Sequence, residues 1–365
     1  MQRKESSRDA TCSRGVGVHR GERDRHAFRS EPTLLGLALL AGCWAPDPSS
    51  GPAPAASRAV ARPRQTSSAT AVLRSATPVA SERTRVLPGT PAPRYAWFEP
   101  SSGKPLAHDG TLASRFEAPP GYERVPLAPG SFGEWLRFLP MAPRNTKVLR
   151  FDGTTVREGD DEYVAGVIAI DIGTVDLQQS PDVAIRLHAE WLWSRNQRAA
   201  INYPGGARLN MPLSRWEQGQ RLISEGPNPF WAVRAKPAPA DYAEFRRYLD
   251  AVFAWANSVS LSRRVVRVEP APLVPGDFFL HTKPPGQAAI VLDVAEKPSG
   301  ERVALLGQAL NPTESVHVLR PGRATAWFSL RQGHSLVTAR SADFTWDELR
   351  RMKSTTGGKA LEKPD

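Results

Sequence analysis

From Trp44 to Pro93 the chain reads WAPDPSSGPAPAASRAVARPRQTSSATAVLRSATPVASERTRVLPGTPAP. This stretch is rich in Pro, Ala, Ser and Thr and has almost no periodic apolar pattern. Such a segment buries too little surface to offset the entropy of ordering it, so it reads as a disordered tether. Many of the chain's 34 prolines fall here. The 40% apolar and 23% charged fractions of the whole chain, ordinary for a globular protein, conceal this uneven distribution, and the folded part begins near Arg94. A tether of this length has an r.m.s. reach of roughly 40 Å, more where proline stiffens it.

Upstream, Arg20, Arg23, Arg25 and Arg29 precede the run TLLGLALLAGC, which closes on Leu40-Ala41-Gly42-Cys43. A basic flank, a short apolar run and small residues before a cut form a secretory signal, here over residues 1–42. The run is too short to span a bilayer as a helix. Leu-Ala-Gly-Cys resembles the bacterial lipobox, which implies that Cys43 is lipidated and heads the mature chain. The expected organisation is a signal at 1–42, an anchored Cys43 with its tether to 93, one domain over 94–352 and a flexible tail over 353–365. The expected location is the bacterial cell envelope, with the lipid anchor in the membrane and the domain facing periplasm or exterior.

The formal charge of +11 points at first to nucleic acid. Divided along the chain, however, it leaves residues 94–365 with 34 basic and 30 acidic side chains, so most of the excess lies outside the folded part. No nucleic-acid partner is expected on that ground. The two cysteines are Cys12 and Cys43, which leaves no disulfide, thiolate zinc site or catalytic thiol for the domain.

Within the domain, FGEWLRFLP (132–140) reads as a short amphipathic helix stopped by Pro140, and KVLRFDGTTV as a strand with a tight turn at Asp152-Gly153. YVAGVIAIDI (163–172), β-branched and apolar on both faces, reads as an interior strand. A helix begins at Pro181, with Ala184, Leu187 and Trp191 on its apolar face and Arg186, Glu190 and Arg195 on the other. DYAEFRRYLDAVFAWAN is a second helix with a capping box at Asp241 and Glu244. RRVVRVE, GDFFLH, AAIVLDVAE, RVALLGQAL and SVHVL follow as strands, with Pro- and Gly-marked turns between them. Helices followed by a meander of strands predict an α+β domain with an antiparallel sheet.

SFGEWLRFLP, DIGTVDLQQSPDVAIRLHAEWL, FRRYLDAVFAWANSVSL, PGDFFL, PPGQAAIVLDVAE and LLGQALNPTESVHVL together resemble the bacterial family labelled domain of unknown function 4846, over roughly residues 112 to 350. In that family DLQQ is followed by Cys where this chain has Ser180. The strand motif is Gly-His-Ala where it has Gly286-Gln287-Ala288, and the later Gln is kept as Gln308. A Cys, His, Gln order on a helix start and two strands is by analogy that of NlpC/P60-like and papain-like hydrolases. There the helix dipole lowers the thiol's pKa and a strand His is the base. The resemblance thus implies a papain-like arrangement of sheet and helices.

This chain departs at both reactive positions. A serine hydroxyl without a base is a poor nucleophile, and glutamine cannot take and return a proton. Ser180, Gln287 and Gln308 are therefore degenerate positions, and no catalytic residue is assigned. The expectation is a non-catalytic hydrolase-like domain that binds a peptide or cell-wall ligand in a cleft lined by Asp176, Gln178, Gln179, Ser180, Gln287 and Gln308. No cofactor is expected, and no metal, because Asp171, Asp176 and Asp182 lack a His partner at ligand spacing.

Two alternatives stay open: an amidase- or peptidase-like hydrolase using Ser180 with an unrecognised base such as His281, or an envelope scaffold without a small ligand. Position by position, bland readings compete. Ser180 before Pro181 and Asp182 is an ordinary helix cap worth about 1 kcal/mol. Arg186 and Glu190 form a surface helix pair. His188 is too far along its helix for a dyad, His317 is a sheet residue and His334 lies in a loop. Asp277 shapes the approach to the sheet.

Overall fold

The computed structural model describes residues 95–98, 106–237, 239–269, 273–331, 335–339, 341 and 343–353. The signal, Cys43, the tether, the tail beyond Lys353 and His334 lie outside these residues. Helix α1 (Leu112–Arg115), strand β1 (Glu123–Arg124) and helix α2 (Phe132–Arg137) come first, followed by a hairpin of β2 (Val148–Leu149) and β3 (Thr155–Arg157). Strand β4 (Val164–Val167) leads to the long helix α3 (Asp182–Ser194). A lobe follows, built of β5 (Asn202–Pro204), β6 (Asn210–Pro212), α4 (Leu213–Glu217), β7 (Gln220–Glu225) and β8 (Asn228–Val233). Helices α5 (Tyr242–Trp255) and α6 (Ser258–Ser262) return the chain to the sheet strands β9 (Val265–Arg267), β10 (Phe278–His281), β11 (Gln287–Glu296) and β12 (Arg302–Gln308). The last strands are β13 (His317–Leu319), β14 (Phe328–Ser329) and β15 (Leu349–Met352).

The main sheet is antiparallel in the order β4-β13-β12-β11-β10-β15-β9, with β1 joining β11 and β14 joining β12. The fold is α+β, as the order of helices and strands predicts. Its centre is β11, whose alternation sends Ala288, Ile290 and Leu292 to the side of α3 and Ala289, Val291 and Val294 to a second, smaller core. A bulge between Val291 and Asp293 brings the buried Asp293 carboxylate to Arg124 and Arg137, each at 2.7 Å. The two arginines thereby tie β1 and α2 to the sheet.

α2 starts where the Ser131 hydroxyl accepts from the Glu134 N–H. At the start of α5, Asp241 accepts from the Glu244 N–H at 2.8 Å, while the Glu244 carboxylate accepts from the Trp216 indole instead of closing the box. The interior placement of YVAGVIAIDI is corrected: β4 is four residues long and terminal in the sheet order. It reads as interior because its outer edge is covered, with the Ala142 N–H donating to Val167 and Met141 bridging Ile168.

Candidate functional site

Ser180 does not cap its helix. α3 opens at Asp182 with Pro181 at the cap position and no side-chain cap. The hydroxyl turns to the sheet instead, accepting from the Ala288 N–H at 3.1 Å and donating to the Ala288 carbonyl at 3.4 Å. The reason lies in the ladder. The N–H and C=O of Val291 engage Asp277 and Gly276 on the β10 side, so those of Ala288 point toward β12. β12 ends at Gln308, and its last partner on β11 is Ile290. Ser180 supplies the missing rung. Its own N–H donates to the Asn311 side chain at 2.9 Å, and the residue is fully buried.

The six side chains of the predicted cleft do not meet in one open hollow. Gln178, Ser180 and Gln308 are buried, Asp176 and Gln179 are exposed, and Gln287 lies between. Asp176 accepts from the Thr313 N–H at 2.7 Å and from its hydroxyl at 3.0 Å, tying the loop before α3 to the β12–β13 connection. Gln178 accepts from Arg186 at 3.0 Å, and Gln308 sits opposite His317 in the ladder. The Nε2 atoms of both glutamines are buried without a partner. Gln287 pairs in register with His281, and alternation sets its side chain on the face opposite Ala288. Ser180 therefore meets the backbone one residue beyond Gln287.

His281 is held at 2.7 Å by Glu348, and His317 is buried with Nδ1 at 2.9 Å from the Ser315 carbonyl. Burial lowers the His317 pKa. Burial pushes the Asp182 carboxyl well up, and one of its oxygens accepts from the Gln179 N–H. Among the described residues no group of three or more His, Cys, Asp or Glu is placed to hold a metal ion.

Arg186 and Glu190, expected on the surface, are both fully buried. Arg186 reaches Glu190 and Asp171 at 2.9 Å each, and the Tyr242 hydroxyl donates to Glu190 at 2.8 Å. Burial works against the Asp171 charge, yet Arg186 and Arg246 hold its carboxyl down at about 2. The Glu190 carboxyl is raised by burial against the pull of Arg186. The spacing alone does not show this, because i and i+4 charges look the same on a surface helix and on one covered by α5.

An open hollow lies two turns further along α3. A groove of about 460 Å³ runs between α2, α3, the Val274–Asp277 turn and the end of β15. Phe132, His188 and Trp191 form its aromatic wall, with centroid separations of 5.3 to 5.6 Å. Gly276 faces them with φ near 100°, and a Cβ there would stand 2.7 Å from the Phe132 ring. Below, Asp277 is fully buried and takes Arg351 through both oxygens at 2.5 and 2.8 Å.

His188 Nδ1 lies 2.9 Å from the Tyr203 hydroxyl, and burial lowers its pKa to about 4, so the ring is neutral near pH 7. A second hollow of about 200 Å³ shares His188, Met352 and Lys353 with the groove, and is bounded by Asn202, whose Oδ1 is buried without a partner. The sequence signal was the spacing of His188 and Trp191 on the face that carries Leu187. It reads as core until Phe132 is known to stand opposite.

The whole is an α+β domain with an aromatic groove beside a sealed helix entry. The chain belongs to the family of the domain of unknown function 4846, whose sequence pattern matches residues 112–351. No curated protein and no solved structure matches it. No helix among the described residues is long and apolar enough to cross a membrane.

Proposed function

We propose that this chain is a membrane-tethered envelope lipoprotein whose domain is a degenerate, non-catalytic relative of NlpC/P60-like hydrolases and binds a peptide or cell-wall ligand. The observation that carries the non-catalytic reading is the Ser180 hydroxyl, buried and engaged in both directions by the Ala288 backbone. A nucleophile must be open to its substrate and stand beside a base, whereas the Ser180 hydroxyl is buried and held by the Ala288 backbone. The hydrolase ancestry is supported by chain order: helix start with Ser180, strand with Gln287, strand with Gln308, with α3 packed on β11. The anchor rests on the Leu-Ala-Gly-Cys43 sequence and its basic flank.

Ligand binding belongs in the groove, because a volume of about 460 Å³, an aromatic wall and a few polar groups are what a small-ligand site needs. Phe132 and Trp191 offer stacking surface, while Lys353 at the rim suits a carboxylate, as on a peptide terminus. The test is calorimetric titration of the full chain with a synthetic peptidoglycan stem pentapeptide, alone and linked to its disaccharide. Trp191→Ala should weaken binding tenfold or more, about 1.4 kcal/mol, and Ser180→Ala should leave it unchanged. Turnover of either compound that disappears in Ser180→Ala overturns the non-catalytic reading. Absence of heat with both compounds leaves an envelope scaffold.

A further inference from the structure

The positive charge of the folded part is concentrated in one place. Residues 195–236 hold seven basic side chains and two acidic ones, whereas residues 94–365 as a whole hold 34 and 30. That segment is the lobe from the end of α3 to β8, and outside it the domain is close to neutral. The arginines are irregularly spaced in sequence and converge only through folding. β8 packs on the turn at Gly206–Arg208, α4 packs on β7, and the Trp231 indole donates to the Asn210 carbonyl at 2.9 Å. The Arg215 guanidinium lies 6.0 Å from the centre of the Trp231 ring. Arg208, Arg215, Arg234 and Lys236 are exposed, and among the described residues none of them is held in an ion pair.

The lobe is also apolar where water should favour polar groups. In the β7–β8 hairpin, Leu222 pairs with Trp231 and packs on the core, so the neighbouring pair Ile223 and Phe230 faces away from it. Phe230 is 36% exposed, and Val233, beside Arg234, is 76% exposed. We propose that the β7–β8 hairpin and its basic surround dock on the surface of an anionic phospholipid bilayer. Unpaired cations near such a surface gain from its negative potential. Phe230 and Ile223 gain only if an apolar layer lies behind the charges. A water-soluble polyanion would satisfy the cations and leave these side chains in water. The bilayer suits both halves of the patch, and the contact needs no lipid on Cys43.

The full chain with Cys43→Ser, sedimented with phosphatidylcholine vesicles with and without phosphatidylglycerol, tests this. Binding should require phosphatidylglycerol. The quadruple variant Arg208→Gln, Arg215→Gln, Arg234→Gln, Lys236→Gln should lose roughly fivefold in partition per charge, from about 1 kcal/mol each. A charge-matched control, Arg144→Gln, Arg263→Gln, Lys283→Gln, Arg323→Gln, should lose far less. Phe230→Ser, a single exposed change, should weaken vesicle binding several-fold and leave heparin binding unaltered. It also keeps the test decisive if the quadruple variant melts early. Equal losses in the two quadruple variants overturn the proposal. So does vesicle binding indifferent to Phe230→Ser, and tight binding to single-stranded RNA alongside that indifference would make the patch a nucleic-acid surface.

Discussion

His188 is the residue whose environment most changes its chemistry. In water a histidine titrates near 6.5, and burial between Phe132, Trp191 and Tyr203 lowers this one to about 4. Between those values the unfolded chain binds a proton that the folded one refuses, so stability rises with pH across the window. The contribution is complete above about pH 6.5 and fades as pH falls toward 4, by about 3 kcal/mol in all. Urea midpoints at pH 7 and pH 4.5 should differ by more in the native chain than in His188→Gln, which removes the titration. Equal pH dependence in the two would mean that His188 is solvated. Asp171, held at about 2, acts in a lower window: its contribution is full above 3.8 and is lost as pH falls toward 2. Ser180 shows why residue identity alone misleads. Ser-Pro-Asp reads the same whether the hydroxyl turns to its own helix or to a strand more than a hundred residues away. Only the end of β12 decides between them.

Helix α3 was legible as a helix but not as a buried one. Its Leu187 face packs on the sheet side, and its other face meets α5, with Trp193 stacked on Phe245 at 4.3 Å and Tyr242 on Glu190. Arg186→Ala should therefore cost about 3–5 kcal/mol, because it leaves Glu190 buried without its partner. Arg186→Met with Glu190→Leu should recover much of that loss, since an apolar pair leaves no charge unpaired. Thermal melting of the two variants checks this; a cost under about 1 kcal/mol for Arg186→Ala would place the pair in water. The strands from β9 to β13 were legible because each carries a run of β-branched or aromatic residues between turn signals. Hairpins β5–β6 and β7–β8 were not, since Pro, Asn and Gly interrupt their alternation. β15 was hidden too: LRRM has two arginines, one neutralised by the buried Asp277.

At the scale of the whole molecule, length and order of the chain matter more than any contact. The central strand β11 and its neighbours β10 and β12 follow one another in sequence, but β15 sits between β10 and β9. A chain ending before Leu349 would leave β9 without a partner and one edge of β10 bare, and would uncover Phe279 and Phe344. Such a truncation should aggregate, whereas removal of residues 1–93 should leave the melting temperature of the domain unchanged; size-exclusion chromatography and melting curves read both outcomes.

The late position of β15 also sets a clock. The ribosome delivers the strand that completes the sheet within the last few residues of the domain, so the β10–β15–β9 side of the sheet cannot take its final form while synthesis continues. For the exported lipoprotein proposed above, this late step keeps one edge of β10 open while the chain is unfinished, so a chain that must be threaded through a membrane pore closes its sheet last.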